Sequence, residues 1–132
     1  MDARDVLGQV FRDGSAALVA RVVDVYGEPI EPEDVESAEY TIHELDLDDE
    51  SLEAVEGHEG VELVVEDVVL SPLVVDDLWG EVDDEGYNLR VTLGRSETFS
   101  PFPRAGVYYQ VSVTLTLMSG QEVLARFRVL SI

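Results

Sequence analysis

From Tyr109 the chain alternates Tyr109, Val111, Val113, Leu115 and Leu117 with Gln110, Ser112, Thr114 and Thr116. A period of two on β-favouring residues predicts a strand with one buried and one wet face. Met118-Ser119-Gly120-Gln121 follows as a turn, with a glycine free to take positive φ. The return strand places Val123, Ala125, Phe127 and Val129 on one face, against Glu122, Arg126 and Arg128 on the other. Setting Leu117 near Val123 brings both apolar faces to the same side, as a hairpin requires.

The rest of the pattern is also of strand type. Ala16 to Val25 is almost continuously apolar and predicts a central strand, which Tyr26-Gly27-Glu28-Pro29 ends in a turn. Ala38, Tyr40 and Ile42 alternate with Glu39, Thr41 and His43. Val61, Leu63 and Val65 alternate with Glu62, Val64 and Glu66, and that pattern runs on towards Leu70 before Pro72 stops it. Tyr87, Leu89, Val91 and Leu93 alternate with Asn88, Arg90 and Thr92. A short strand around Val6 to Phe11 is expected, with a frayed helical turn over Asp2 to Gln9 as the alternative. The best helical stretch is Asp48 to Val55, where an aspartate can cap a single turn. Six or seven short strands with turns between them predict an all-β fold, a single antiparallel β-sandwich of immunoglobulin-like size over residues 1–132. The acidic connection from Glu44 to Gly60 is expected to be an exposed, mobile loop. Ser96 to Gly106 reads as an ordered loop before the hairpin.

Charge changes the picture more than any motif. Between Glu28 and Gly86 lie 23 of the 29 acidic residues and none of the 8 basic ones, all of which are arginine. The net charge of −21 repels nucleic-acid phosphates and anionic lipid, so neither is an expected partner. Carboxylate crowding without lysine fits a protein working in concentrated salt, where screening relieves self-repulsion. A GC-rich genome is the plainer source of the missing lysine. With no cysteine, disulfides, thiolate metal sites and a Cys nucleophile are excluded. No apolar region follows Asp2, Arg4 and Asp5, so no signal peptide is read, and no run has the ~20 apolar residues of a membrane span. Synthesis and folding in a cytoplasm are expected.

Candidate chemistry is sparse. An EF-hand starting at Asp46 would put Ser51 where glycine is needed and Gly57 where the bidentate glutamate belongs. Asp76, Asp77, Asp83, Asp84 and Glu85 are a weaker cation cluster, and a solvated acidic face is the better reading of them. His43 and His58 have neither zinc spacing nor a nucleophile elbow beside them, so no metal, cofactor or catalytic residue is assigned. His43 is expected on the polar face of its strand and His58 in the loop. Trp79 is read as the pin of the sandwich core, with an interface anchor as the alternative. Phe102, between Pro101 and Pro103, is the better contact candidate, with packing of its own loop as the plainer reading of it. Leu124, Arg126 and Arg128 share the outer face of the last strand and complete the candidate partner surface.

The order of features adds a resemblance. Phe11-Arg12-Asp13, a long apolar strand, Gly27 in a turn and Tyr40-Thr41-Ile42 come first. Asp77-Leu78-Trp79, Gly86-Tyr87-Asn88, Gly106-Val107-Tyr108, the Ser119-Gly120 turn and the Phe127 strand follow. Over about residues 11–130 this resembles the small immunoglobulin-like β-sandwich proteins of tailed-phage and prophage structural gene clusters. The long acidic connection departs from their compact pattern. The resemblance implies a non-enzymatic structural protein of a virion, a capsid decoration or head–tail accessory protein. Its partners would be other virion structural proteins or copies of itself. The alternative is a cytoplasmic or cell-associated sandwich that binds a cation or a basic protein.

Overall fold

Among the described residues nine strands, a 3-10 turn (Pro32–Asp34) and one α-helical turn follow one another along the chain. They are β1 (Asp5–Val10), β2 (Ala16–Ala20), β3 (Val35–Leu45), β4 (Leu52–Ala54), β5 (Val61–Leu63), α1 (Val65–Val68), β6 (Val69–Val74), β7 (Tyr87–Leu93), β8 (Tyr108–Leu117) and β9 (Glu122–Ser131). This computed structural model describes residues 5–10, 16–46, 48, 51–79, 82–94 and 101–132, with the backbone alone for 5–10. The larger sheet runs β1-β9-β8-β3, with β4 and β5 in succession along the far edge of β3. The smaller sheet is β2-β7-β6. Every pairing is antiparallel except β1 with β9.

Placing β9, β8, β3 and β4 on one sheet and β2, β7 and β6 on the other gives the G-F-C-C′ and B-E-D division of a variable-type immunoglobulin sandwich. A second hallmark sits at the start of β8. The Tyr109 hydroxyl accepts from the Arg104 N–H at 2.8 Å and donates to the Arg104 carbonyl at 3.3 Å. That is a tyrosine corner, tying the β7–β8 connection to the strand it enters. Val111, two residues on, stands where antibody domains carry their second cysteine, and it is wholly buried. Without a disulfide, the two sheets are held by apolar packing. Leu18, Ile42, Val69, Leu89, Val91, Phe102, Tyr109, Val113, Leu115, Val123 and Phe127 belong to one continuous core.

The C-terminal hairpin forms with the predicted faces inward and Gly120 at φ 92°. Its register is two residues off the expected one: Val123 faces Leu115, and the Leu117 N–H closes the turn on the Gln121 carbonyl. A shift of two keeps each side chain on its own face, which is why the alternation could not detect it.

Other expectations fail for identifiable reasons. Ala16 to Val25 is not one central strand: β2 stops at Ala20 and is an edge of the smaller sheet. The pattern after Val61 breaks into β5, the α1 turn and β6, and Pro72 lies inside β6 instead of ending it. An edge strand tolerates proline because its outward N–H needs no partner. Asp48 to Val55 holds no helix among the described residues, since Leu52–Ala54 is β4. Nor is the acidic connection a free loop. Its second half returns along β3 as β4 and then leads into β5 through a short excursion fastened to Ile42. The Val55 N–H donates to the Ile42 carbonyl, and the Ile42 N–H donates to the His58 carbonyl. Val55 and His58 are both buried there. The expected strand over Val6 to Phe11 is present as β1, whereas Phe11, Arg12 and residues 96–100 of the Ser96 to Gly106 loop lie outside the described residues.

Candidate functional site

The two ends of the sandwich differ. At one end lie the β2–β3 connection, the β6–β7 connection and the β8–β9 turn. Strand direction alone brings them together, because Ala20 faces Leu89, Val74 faces Tyr87 and Val35 faces Leu117. Short polar contacts then fix them.

The base of the β2–β3 connection is fastened by Asn88, which the alternation placed on a wet face. Asn88 is buried instead. Its Oδ1 accepts from the Val22 N–H at 2.7 Å, and its Nδ2 donates to the Val22 and Ile30 carbonyls, both at 2.9 Å. Above it, Val23 and Pro29 bridge as in a miniature hairpin. Asp24 Oδ1 accepts from the N–H groups of Tyr26 at 2.8 Å and Glu28 at 3.1 Å, and Gly27 takes φ 80°. Aspartate favours such turns because its side chain satisfies nearby backbone donors. Val25 is therefore displayed at the tip with 61% of its surface exposed, and Tyr26 with 86%.

Asp83 organises the β6–β7 connection. Its Oδ1 accepts from the N–H groups of Glu85 and Gly86 and from Trp79 Nε1. Its Oδ2 receives Arg21 Nη1 at 2.6 Å, bracing this loop against the end of β2. These donors, the Gly86 N–H foremost, hold the Asp83 carboxyl well below its ordinary 3.8. Gly86 sits at φ 102°, and a Cβ there would come within 2.4 Å of the Val74 carbonyl oxygen, so only glycine permits the approach. Asp76 accepts from the Leu78 N–H and, at 2.7 Å, from the Tyr87 hydroxyl. Burial, with that carboxylate second, pushes the Tyr87 phenol above 10.0.

Trp79 is only 8% exposed. Its ring lies 5.9 Å from that of Tyr87, and the Arg21 guanidinium is 5.9 Å from its centroid. It is buried, as its reading as a core residue expects, but it plugs the end of the sandwich outside the main core cluster and is not an exposed anchor. The loop it holds exposes Val75, Leu78 and Val82, and the neighbouring turn exposes Met118. Six of the ten large exposed apolar residues among those described thus gather at this end. Glu28, Glu31, Glu33, Asp34, Asp76, Asp77, Asp84 and Glu85 are exposed around them. Glu31 is raised above its ordinary 4.5 by its hydrogen bond and repulsion with Glu33.

The residues singled out from sequence do not meet in one patch. Phe102 is wholly buried, edge-on to Tyr109 at 5.4 Å, and makes no surface. Its flanking prolines stiffen the loop that delivers it to the core. Leu124 is exposed, and Arg126 and Arg128 are half-buried on the outer face of β9. His43 lies on the outward face of β3, whereas Tyr40 and Ile42 point inward. His58 Nδ1 pairs with the Tyr40 hydroxyl at 2.8 Å, on the inward side. The two imidazoles therefore lie on opposite sides of the sheet. Among the described residues no group of three or more His, Asp or Glu side chains is placed to hold a metal ion. In the suggested cation cluster, Asp76 and Asp83 spend their oxygens on the chain's own donors. No helix among the described residues is long and apolar enough to cross a membrane. Val25 was read as the end of a strand, and Tyr26, Leu78 and Val82 were missed because apolar residues in turns carry no periodic signal. Asp24 two residues before Tyr26 was the available cue.

No family model matches the chain, and no curated protein does. Among solved structures it is similar to the extracellular domain of the voltage-gated sodium channel beta4 subunit, described as forming parallel homodimers that explain its role in cell–cell adhesion. That likeness covers 100% of this chain and 96% of the other, at 10% identity and a TM-score of 0.32. The assignment to an immunoglobulin-like sandwich rests on the strand order and the tyrosine corner.

Proposed function

We propose that this protein is a non-enzymatic binding module that docks a basic, partly apolar protein surface on the end formed by the β2–β3, β6–β7 and β8–β9 connections. The supporting observation is the rigid display of Val25 and Tyr26 on a hairpin locked by Asp24 and Asn88. A large aromatic held in advance loses little entropy on binding, and apolar anchors ringed by polar groups are what protein interfaces use. The surrounding carboxylates select the sign of the partner and speed its encounter, an effect that salt screens. A tailed-virus particle is the narrower setting of this reading, expected from the order of motifs. There the partner is a particle protein.

Panning a random peptide library on the immobilised protein tests the proposal. Selected peptides are expected to combine arginine or lysine with an aromatic or aliphatic residue, to weaken as salt rises, and to lose binding to Tyr26→Ala. Peptides that bind Tyr26→Ala as well as the parent would overturn it. The same pair of proteins, applied to isolated phage heads and tails, tests the virion setting.

A further inference from the structure

A sheet edge is an open row of backbone donors and acceptors, and soluble proteins normally guard it with charge, proline, a bulge or brevity. Three of the edges here follow that rule. β4 and β5 are three residues each and carry Glu53 and Glu62. β6 carries Pro72 and a register shift between Val69 and Val74. β1 contains Asp5. β2 has none of these devices. Ala16-Ala17-Leu18-Val19-Ala20 has no charge and no proline, and it pairs with β7 at all five positions without a shift. Among the described residues no strand pairs with its other edge. Its alanines are too short to screen the backbone. Ala16 and Ala20, which pack against the core, are left half-exposed where the three-stranded sheet falls short of the larger one.

Charge says what can approach. Of the sheet edges, β2 and β6 carry no acid in this chain at −21, and β6 holds Pro72; the charged residue on the outer face of β7, the neighbour of β2, is Arg90, across from Val19. We infer that a second copy of this chain pairs antiparallel with β2, about a two-fold axis near Leu18, joining the two smaller sheets into one of six strands. A two-fold brings neutral strip to neutral strip and keeps the acidic segments on the outside. The assembly stops at two, because the far edge of each smaller sheet is β6, closed by Pro72. Long-range repulsion between two −21 bodies opposes the contact, so screening strengthens it. Salt therefore acts in the opposite sense on this contact and on the binding proposed for the loop end.

Sedimentation equilibrium between about 0.1 M and about 1 M salt tests this. The whole chain is expected to form a dimer, with no larger species, that tightens as salt rises. Ala17→Lys, at an exposed position, is expected to weaken it about tenfold or more while the melting temperature holds. Val19→Lys serves as a second variant of the same kind, and Tyr26→Ala leaves the dimer intact. A chain that stays monomeric throughout, forms larger species, or dimerises unchanged with both lysine variants overturns the inference. So does a monomer whose β2 amides all resist hydrogen exchange, since its own chain then covers the edge.

Discussion

The two ends of this sandwich treat their aromatic residues in opposite ways. At the β7–β8 end, Phe102 and Tyr109 are wholly buried, edge to face, and the Tyr109 hydroxyl is used up on Arg104. At the other end Trp79 and Tyr87 are buried too, but the connections there expose Val25, Tyr26, Leu78 and Val82. The first end spends its aromatics on holding the fold. The second spends polar contacts on holding apolar groups in water, which costs stability unless something covers them.

The difference should appear as opposite rankings for stability and for binding. Phe102→Ala empties a fully packed site and should cost about 3–5 kcal/mol, read from urea midpoints, without altering peptide affinity if the fold survives. Asn88→Ala strands the buried Val22 N–H and Ile30 carbonyl, while the Val22 carbonyl keeps the Ile30 N–H, so a loss of about 2–3 kcal/mol is expected. Unlike Phe102→Ala it should also weaken binding, because it frees the base of the hairpin. Tyr109→Phe removes the corner hydroxyl alone and should cost about 1 kcal/mol, with binding unchanged.

Smaller effects come from the displayed end. The Asp83 carboxyl is held below its ordinary 3.8, so its contribution is whole above that value and is lost as pH falls below it. Asp83→Asn should thus be less stable than the parent at neutral pH, and the gap should narrow on acidification below about pH 4. Tyr26→Ala should move stability by less than about 0.5 kcal/mol and still abolish binding. A large stability loss there would mean Tyr26 is structural and would dissolve the contrast between the ends.

How far the chain announces these things depends on the physical signal each uses. The β8–β9 hairpin was legible because one face is buried along its whole length, so period two is unbroken from Tyr109 to Val129 apart from the turn. β5 showed in the alternation of Val61 and Leu63, but its end at Leu63 did not; β4 was missed because three residues are too short for periodicity, and in β6 Pro72 looks like a stop until its edge position is known. Asn88 was misplaced because a buried polar group that meets backbone partners 58 and 66 residues away looks identical, in one dimension, to a wet one. Phe102 between prolines looked like a loop tip, and the core it enters is assembled from distant segments. The loop end suffered most: its apolar residues come in ones and twos at the ends of strands and in turns, and only strand order collects them.

Amide shift mapping of a panned basic peptide on the isotope-labelled protein tests the central claim most directly. Shifts should be confined to residues 24–28, 75–79, 82–86 and 118–121. Shifts centred instead on the outer face of β8 and β9, around Ser112, Leu124 and Arg126, would contradict the claim that the loop end is the binding surface.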